Sequence, residues 1–101
     1  MASRLDLQKT FENILGSRNV YFQPPSNIKM NYPAIRYSRK KIDSDFASNS
    51  AYKQMVCYEG VVIDPNPDSQ IIMEILRLPY CSHDRHYVSD NLNHDAFNIY
   101  I

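Results

Sequence analysis

The fold is decided by residues 52–64, the stretch YKQMVCYEGVVID. Its side chains fall into two alternating sets, one that includes Tyr58 and Val62 and another that includes Cys57 and Ile63. A period of two is that of a β-strand, in which successive side chains point to opposite faces of the sheet. We therefore predict that residues 52–64 form the longest and most central strand of a sheet.

A helix is predicted at the amino-terminal end, from about residue 4 to 15. Its apolar residues stand at i, i+4, i+7 and i+8, which is one stripe of an α-helix: Leu7, Phe11, Ile14 and Leu15. Ser3 followed by Asp6 is a weak capping box, and Gly16 is suited to a left-handed stop.

A second, shorter helix is predicted after the central strand. Residues 64–69 are rich in turn-forming types and end in residues that favour a helix N-cap. Ile71, Ile75 and Leu78 then follow a helical spacing, and Pro79 stops the helix.

Four further strands complete the predicted order. One covers residues 20–23 and ends at Pro24-Pro25, and another covers residues 34–38 after Pro33. The last two cover about 81–88 and 94–101, joined by an Asn/Asp-rich turn at 89–93. The order helix, three strands, helix, two strands predicts one α+β domain over residues 1–101. It is a mostly antiparallel five-stranded sheet with both helices on one face.

Residues 39–50 separate two predicted strands and are mostly polar, with no clear period. We predict a protruding loop here. Because loops of this length in compact domains are usually functional or disordered, we interpret it as a contact arm.

The overall charge favours neither nucleic acid nor an anionic membrane as a partner, because eleven basic and eleven acidic residues cancel. The apolar runs are far shorter than a bilayer requires, and Arg4, Asp6 and Lys9 argue against a secretory signal. We expect a soluble intracellular protein. In that setting Cys57 and Cys81 are expected to be small buried hydrophobic residues rather than a disulfide, although their spacing is compatible with one.

The block from Cys81 to Asp95 holds the residue types of a metal or acid/base site, including all three histidines. Strict strand alternation would place Cys81 and His86 on opposite faces, which argues against a shared metal. We instead predict that His86, His94 and Asp95 pair across the hairpin and help to set its register. The only glycines, Gly16 and Gly60, supply no oxyanion or phosphate-binding loop, so no catalytic residue, metal or cofactor is predicted.

A basic cluster near the predicted arm has two interpretations. With Tyr37 among them, its members could form a nucleic-acid stripe: Arg36, Arg39, Lys40 and Lys41. Because Asp43 and Asp45 follow at once, we prefer a solvated strand end whose charges protect a sheet edge.

Four sequence segments resemble those of a known protein family: Val20–Pro25, Tyr32–Tyr37, Val62–Ser69 and Arg85–Asp95. Together they resemble small virion proteins of tailed bacteriophages, encoded among the neck and tail genes and similar to tail terminator or tail completion proteins. The resemblance extends from Val20 to Ile101.

The resemblance implies a ring-forming α+β subunit, six copies of which cap the tail tube, end its polymerisation and offer a surface to the head connector. The implied partners are other copies of the chain, the tail tube protein and a connector or neck protein. Genomic DNA would pass through the lumen without sequence-specific binding. It also implies assembly in the bacterial cytoplasm, location in the tail or neck of the virion, no membrane partner and no catalytic residue.

Two segments are the predicted contacts with neighbouring subunits or the tube. They comprise Arg39, Lys40, Lys41, Asp43, Asp45 and Phe46 in the arm, and Asp90, Asn91 and Asn93 in the turn. The alternatives are a neck adaptor or head-closure protein, a small metal-dependent or thiol enzyme built on the Cys81–Asp95 block, and a monomeric host regulatory module.

Overall fold

The computed structural model describes the backbone of residues 3–47 and 50–101, and the side chains of residues 3–44 and 54–101. These residues form two helices and five strands in the predicted order, which confirms the α+β class. The elements are α1 (Arg4–Leu15), β1 (Val20–Phe22), β2 (Ala34–Ala47), β3 (Ser50–Asp64), α2 (Gln70–Ile75), β4 (Cys81–Ser89) and β5 (Leu92–Tyr100).

The strands form one sheet in the order β1-β2-β3-β5-β4. β1 and β2 run parallel, and every other neighbouring pair is antiparallel. β3 is both the middle strand and, with 15 residues, the longest, as predicted.

α1 begins and ends where its sequence signals predict. The Ser3 hydroxyl accepts a hydrogen bond from the Asp6 backbone N–H at 3.2 Å and so caps the helix. Gly16 has a left-handed φ of 78°, and its N–H donates to the Glu12 carbonyl at 2.9 Å. The helix presents Leu7 and Phe11, both fully buried, to the sheet.

Both helices cover the same face of the sheet, here called the helix face. The sheet residues of the core belong to one alternation set, because Ile35 pairs with Val62 and Gly60 pairs with both Tyr37 and Phe97. From the helices, Leu7, Phe11, Ile72 and Ile75 join these residues in one buried cluster. The Phe11 ring meets the rings of Tyr37 and Phe97 edge-on, with centroids 5.2 and 5.7 Å away.

The prediction of a loop at residues 39–50 is wrong, because this segment consists mainly of paired strands. β2 continues to Ala47 and β3 begins at Ser50, so residues 39–47 pair with residues 50–58; residues 48 and 49 lie outside the described residues. We call residues 41–47 and 50–56 the arm. β1 pairs only with residues 35–37 of β2, and β5 pairs with β3 from Asp64 only as far as Cys57, with Ile101 bonded to Val56. Most of the arm is therefore a two-stranded ribbon.

The strands of the arm were not predicted from the sequence for two physical reasons. A ribbon that projects beyond the core is exposed to water on both faces, so it lacks the apolar-polar alternation that marks a half-buried strand. Ile42, for example, is 52% exposed. A β-bulge between Arg39 and Lys41 also interrupts the period of two.

Residues 23–33 connect the parallel strands β1 and β2 across the face of the sheet opposite the helices, here called the far face. Tyr21 lies on that face, because it alternates with Val20 and Phe22, which pack into the core. Its hydroxyl accepts a hydrogen bond from the Asn31 N–H at 3.3 Å. No helix among the described residues is long and apolar enough to cross a membrane.

Gly60 is the point of closest approach in the core. A Cβ placed there would lie 2.8 Å from Phe97 Cε1 and still closer to Cζ, because the tip of the Phe97 ring packs against the glycine. Phe97 on β5 therefore requires glycine at residue 60 of β3 because a larger side chain would not fit, not because the backbone conformation demands it.

We expect Gly60→Ala to lower the free energy of unfolding by about 1–3 kcal/mol through overpacking, as measured by urea denaturation. Because Leu is smaller than Phe, the double variant Gly60→Ala/Phe97→Leu should lose less than the sum of the single losses. Strict additivity in this cycle would contradict the direct clash.

Tyr37 anchors the first helix to β2 through a buried hydroxyl. That hydroxyl donates to Gln8 Oε1 at 2.5 Å and accepts from Arg4 Nη1 at 3.3 Å. Burial raises the pKa of Tyr37, and the nearby Arg4 guanidinium only partly offsets this effect.

Tyr37→Phe should lower the free energy of unfolding by about 1 kcal/mol at neutral pH, because one hydroxyl and two hydrogen bonds are lost. The folded state favours the neutral phenol, so its contribution is complete below pH 10 and is lost as the pH rises through the raised pKa. Urea titrations from neutral to strongly alkaline pH should therefore show a smaller alkaline loss in the variant than in the parent. Parallel losses would contradict this assignment.

Candidate functional site

The histidine-rich block forms the hairpin of β4 and β5, the last two strands of the sheet. Ser89 pairs with Leu92, so the turn is only Asp90 and Asn91, whose φ values of 53° and 62° are left-handed. Two left-handed central residues are typical of a type I′ turn, which suits Asp and Asn. The turn is therefore shorter than the predicted 89–93, and β5 begins two residues before the predicted start at 94.

A β-bulge in β4 changes which histidines meet. His83 pairs with Phe97 and Arg85 with Ala96, so Asp84 is an extra residue without a partner on β5. The bulge shifts the alternation and puts Cys81, His83 and His86 on the same face, so the prediction that Cys81 and His86 lie on opposite faces is wrong.

Asp95 is the centre of this histidine cluster. Its Oδ1 atom lies 2.9 Å from His86 Nδ1 and 3.1 Å from His83 Nε2. The side chain of Asp95 is only 14% exposed, while the two imidazoles are partly in solvent. The pairing of His86 with Asp95 lies where the sequence placed it, and His83 is the member that sequence reasoning missed.

His94 does not join that cluster, because it lies on the far face. Its Nδ1 atom is 3.1 Å from the carbonyl oxygen of Leu92, two residues earlier, and its ring stacks on Tyr87 with centroids 4.7 Å apart. The Cζ atom of the Arg85 guanidinium lies 5.2 Å from the centroid of the same Tyr87 ring. The three histidines are thus divided between the two faces of the hairpin.

The metal and thiol alternatives find little geometric support. Within residues 3–44 and 54–101, no group of three or more His, Cys, Asp or Glu side chains could hold a metal ion. Cys81 packs at the edge of the core, and burial raises the pKa of its thiol to about 11. The thiolate fraction at neutral pH is therefore about one in ten thousand, the opposite of an activated nucleophile.

The predicted contact residues of the arm are exposed where their side chains are described. Arg39, Lys40, Lys41 and Asp43 face solvent, with Lys41 Nζ 3.6 Å from Asp43 Oδ1. The side chains of Asp45 and Phe46 lie outside the described residues.

The turn residues behave differently from one another. Asp90 and Asn91 are exposed at the hairpin tip. Asn93 instead donates through Nδ2 to the carbonyls of Asp64 and Pro65, both at 3.2 Å, and so fastens the hairpin to the loop before α2. Because Asp64 pairs with Asn93 while Ser50 lies at the start of β3, the turn and the arm are at opposite ends of the molecule.

The far face carries a cavity of about 370 Å³, here called the cleft. Its floor lies over the middle strands at Val61 and Ala96, and its walls include Gln23 on one side and Tyr87 on the other. Arg36, Glu59, Asp84, Arg85 and Asn98 also line it, so it is a polar cleft on the sheet face opposite the two helices.

Comparison of the chain with models of known protein families and with curated proteins found no match. The resemblance to phage tail proteins therefore stays a prediction from sequence.

We expect Asp95→Ala to lower the free energy of unfolding by about 1–2 kcal/mol in urea denaturation at neutral pH, because two imidazoles lose their shared acceptor. Asp84→Ala is the matched control, since this exposed bulge residue makes no hydrogen bond or ion pair among the described residues. It should change stability by less than about 0.5 kcal/mol. Equal effects of the two substitutions would contradict a register-setting role for Asp95.

Proposed function

We propose that this protein is a structural virion subunit of a tailed bacteriophage, six copies of which form a ring that caps the tail tube. The ring ends polymerisation of the tube and provides the joining surface for the head connector. The proposal combines the family resemblance of Val20–Ile101 with one structural observation, the arm that projects beyond the sheet.

The arm and the sheet edges suit side-by-side assembly. The outer edge of β2 has no strand partner beyond Tyr37 within the described residues, and β4 is the other edge of the sheet. Because these edges are different strands, contact between them in neighbouring copies would be heterologous, and such contacts generate closed rings when the rotation allows. The bulges and charged residues on both edges limit pairing with unrelated strands.

The ends of the molecule also suit a terminal ring, which must meet the tube on one side and the connector on the other. The arm lies at one end of β3 and the exposed Asp90-Asn91 turn at the opposite end. The molecule extends 51 Å along its longest axis but only 25 and 23 Å along the others. Two separate contact regions are therefore available to two partners.

The enzyme alternative has less support from the same residues. Asp95 is occupied by two histidines on the helix face, while His94 is engaged with Tyr87 on the far face. Cys81 holds its proton because burial raises its pKa to about 11. An arrangement that satisfies its own hydrogen bonds favours a structural role over a reactive one.

Shortening the arm tests the proposal. Ile42 and Val56 pair directly, so residues 43–55 can be replaced by Asn-Gly to give a short hairpin without disturbing the core. We expect a folded subunit that no longer forms rings with the tail tube protein of the same genome, as judged by native mass spectrometry and electron microscopy. Arg77→Gln is the control and should preserve the ring, because this exposed residue lies outside the arm, the sheet edges and the turn.

Recovery of complete rings from the shortened variant would contradict the role of the arm. A parent chain that stays monomeric beside tail tube protein in sedimentation experiments would overturn the proposed function. Rings that bind the connector but not the tube would instead favour the alternative of a head-closure protein.

A further inference from the structure

We infer that the cleft on the far face is the receptor for the acidic pair Asp43 and Asp45 in the arm of a second copy. This inference rests on the proposed function, because it names the surface that the arm contacts in a neighbouring subunit.

The cleft is organised around one row of paired residues. Arg36 pairs with Val61, Val61 with Ala96, and Ala96 with Arg85, so two arginines stand at the ends of a row whose middle residues are small. Three interstrand spacings separate the arginine Cα atoms by about 14 Å. The long side chains can therefore lean over Val61 and Ala96 from opposite walls.

Both guanidinium groups are available to a ligand. Within the described side chains, neither Arg36 nor Arg85 makes a hydrogen bond or lies within 4.0 Å of a carboxylate oxygen. Arg85 is held near the Tyr87 ring, an orientation that leaves its N–H donors unused. Guanidinium forks match the geometry of carboxylates, which makes acidic side chains the suitable ligand.

The adjacent row of paired residues contains a carboxylate, which limits how many acidic groups the cleft can bind. Ser38 pairs with Glu59 and Glu59 with Asn98, so a carboxylate stands two residues from Val61, about 7 Å along the strand. Asp84 also lines the cleft beside Arg85. A third acidic group would meet these carboxylates, whereas the row between the two arginines carries no acid. The amide of Asn98 adds a hydrogen-bonding group beside the pair.

The chain itself contains one matching segment. Asp43 and Asp45 are its only two acidic residues that stand two positions apart, and both lie on β2 in extended conformation. Two residues of a strand span about 7 Å, a separation that two converging arginines can bridge. The ion pair that Asp43 would lose, with Lys41, is half exposed and contributes little.

The occupant must come from another molecule. Arg36 and Asp43 belong to the same continuous strand, seven residues apart, which places them about 23 Å from each other. The arm is a paired ribbon that extends away from its own cleft, so it cannot fold back without breaking β2 and β3. A second copy meets no such constraint.

A peptide titration tests the inference without requiring a ring. The probe is residues 41–47 as a capped peptide, Lys-Ile-Asp-Ser-Asp-Phe-Ala, and its control carries Asp43→Asn and Asp45→Asn. We expect the acidic probe to shift the amide resonances of Val61 and Ala96 in the full chain. The control peptide should bind at least about tenfold more weakly.

Variants of the cleft sharpen the test, because opposite charges predict opposite effects. Arg36→Gln and Arg85→Gln should each weaken probe binding about tenfold, since each removes a charge-assisted contact. Glu59→Gln should strengthen binding about threefold by removing like-charge repulsion. Arg77→Gln, an exposed arginine outside the cleft, is the control and should leave the affinity unchanged.

Equal binding of the acidic and amide peptides, or equal affinities of the parent and the Arg36→Gln and Arg85→Gln variants, would overturn the inference. Sedimentation of the full chain judges the proposed function separately. Rings that form unchanged in the Arg36→Gln/Arg85→Gln double variant would refute the cleft as the receptor and leave the ring intact.

Discussion

The packing of the Phe97 ring over Gly60 is the contact on which the rest of the structure depends. It brings β5 and β3 together at the centre of the sheet, where the Phe97 ring also forms a T-shaped contact with Phe11 of α1. Tyr37 meets Phe11 from the neighbouring strand, so the aromatic core joins three elements on one face. Both helices are recruited to that face because the apolar residues of β2, β3 and β5 point there.

A core on one face leaves the other face for binding. Among the described residues, only the connection at 23–33 crosses the far face, and beside it the sheet exposes a polar cleft with arginines at both ends of its central row. The helix face has satisfied its polar groups internally, as the Asp95 cluster illustrates. Among the described residues, the arm, the sheet edges, the exposed turn and the cleft are the surfaces that the proposed assembly would use.

Sequence reasoning succeeded where a local pattern had a single physical interpretation. The stripe of Leu7 and Phe11 with its Ser3 cap and Gly16 stop located α1, and the long alternation of residues 52–64 located the central strand. It failed at two of the three register shifts in the sheet. The bulge near Lys40 concealed the arm, and the bulge at Asp84 moved His83 next to Asp95, since one extra residue reverses a two-residue period without any mark in composition.

The amino-acid sequence by itself determined the class of the fold, the order of its elements and the position of its central strand, because hydrophobic periodicity and capping act over a few neighbouring residues. The tertiary structure alone decided the length of the arm, the division of the three histidines between two faces, and the row that aligns Arg36 with Arg85. These features depend on strand register, and register is set by contacts between residues distant in the chain, such as Phe97 on Gly60.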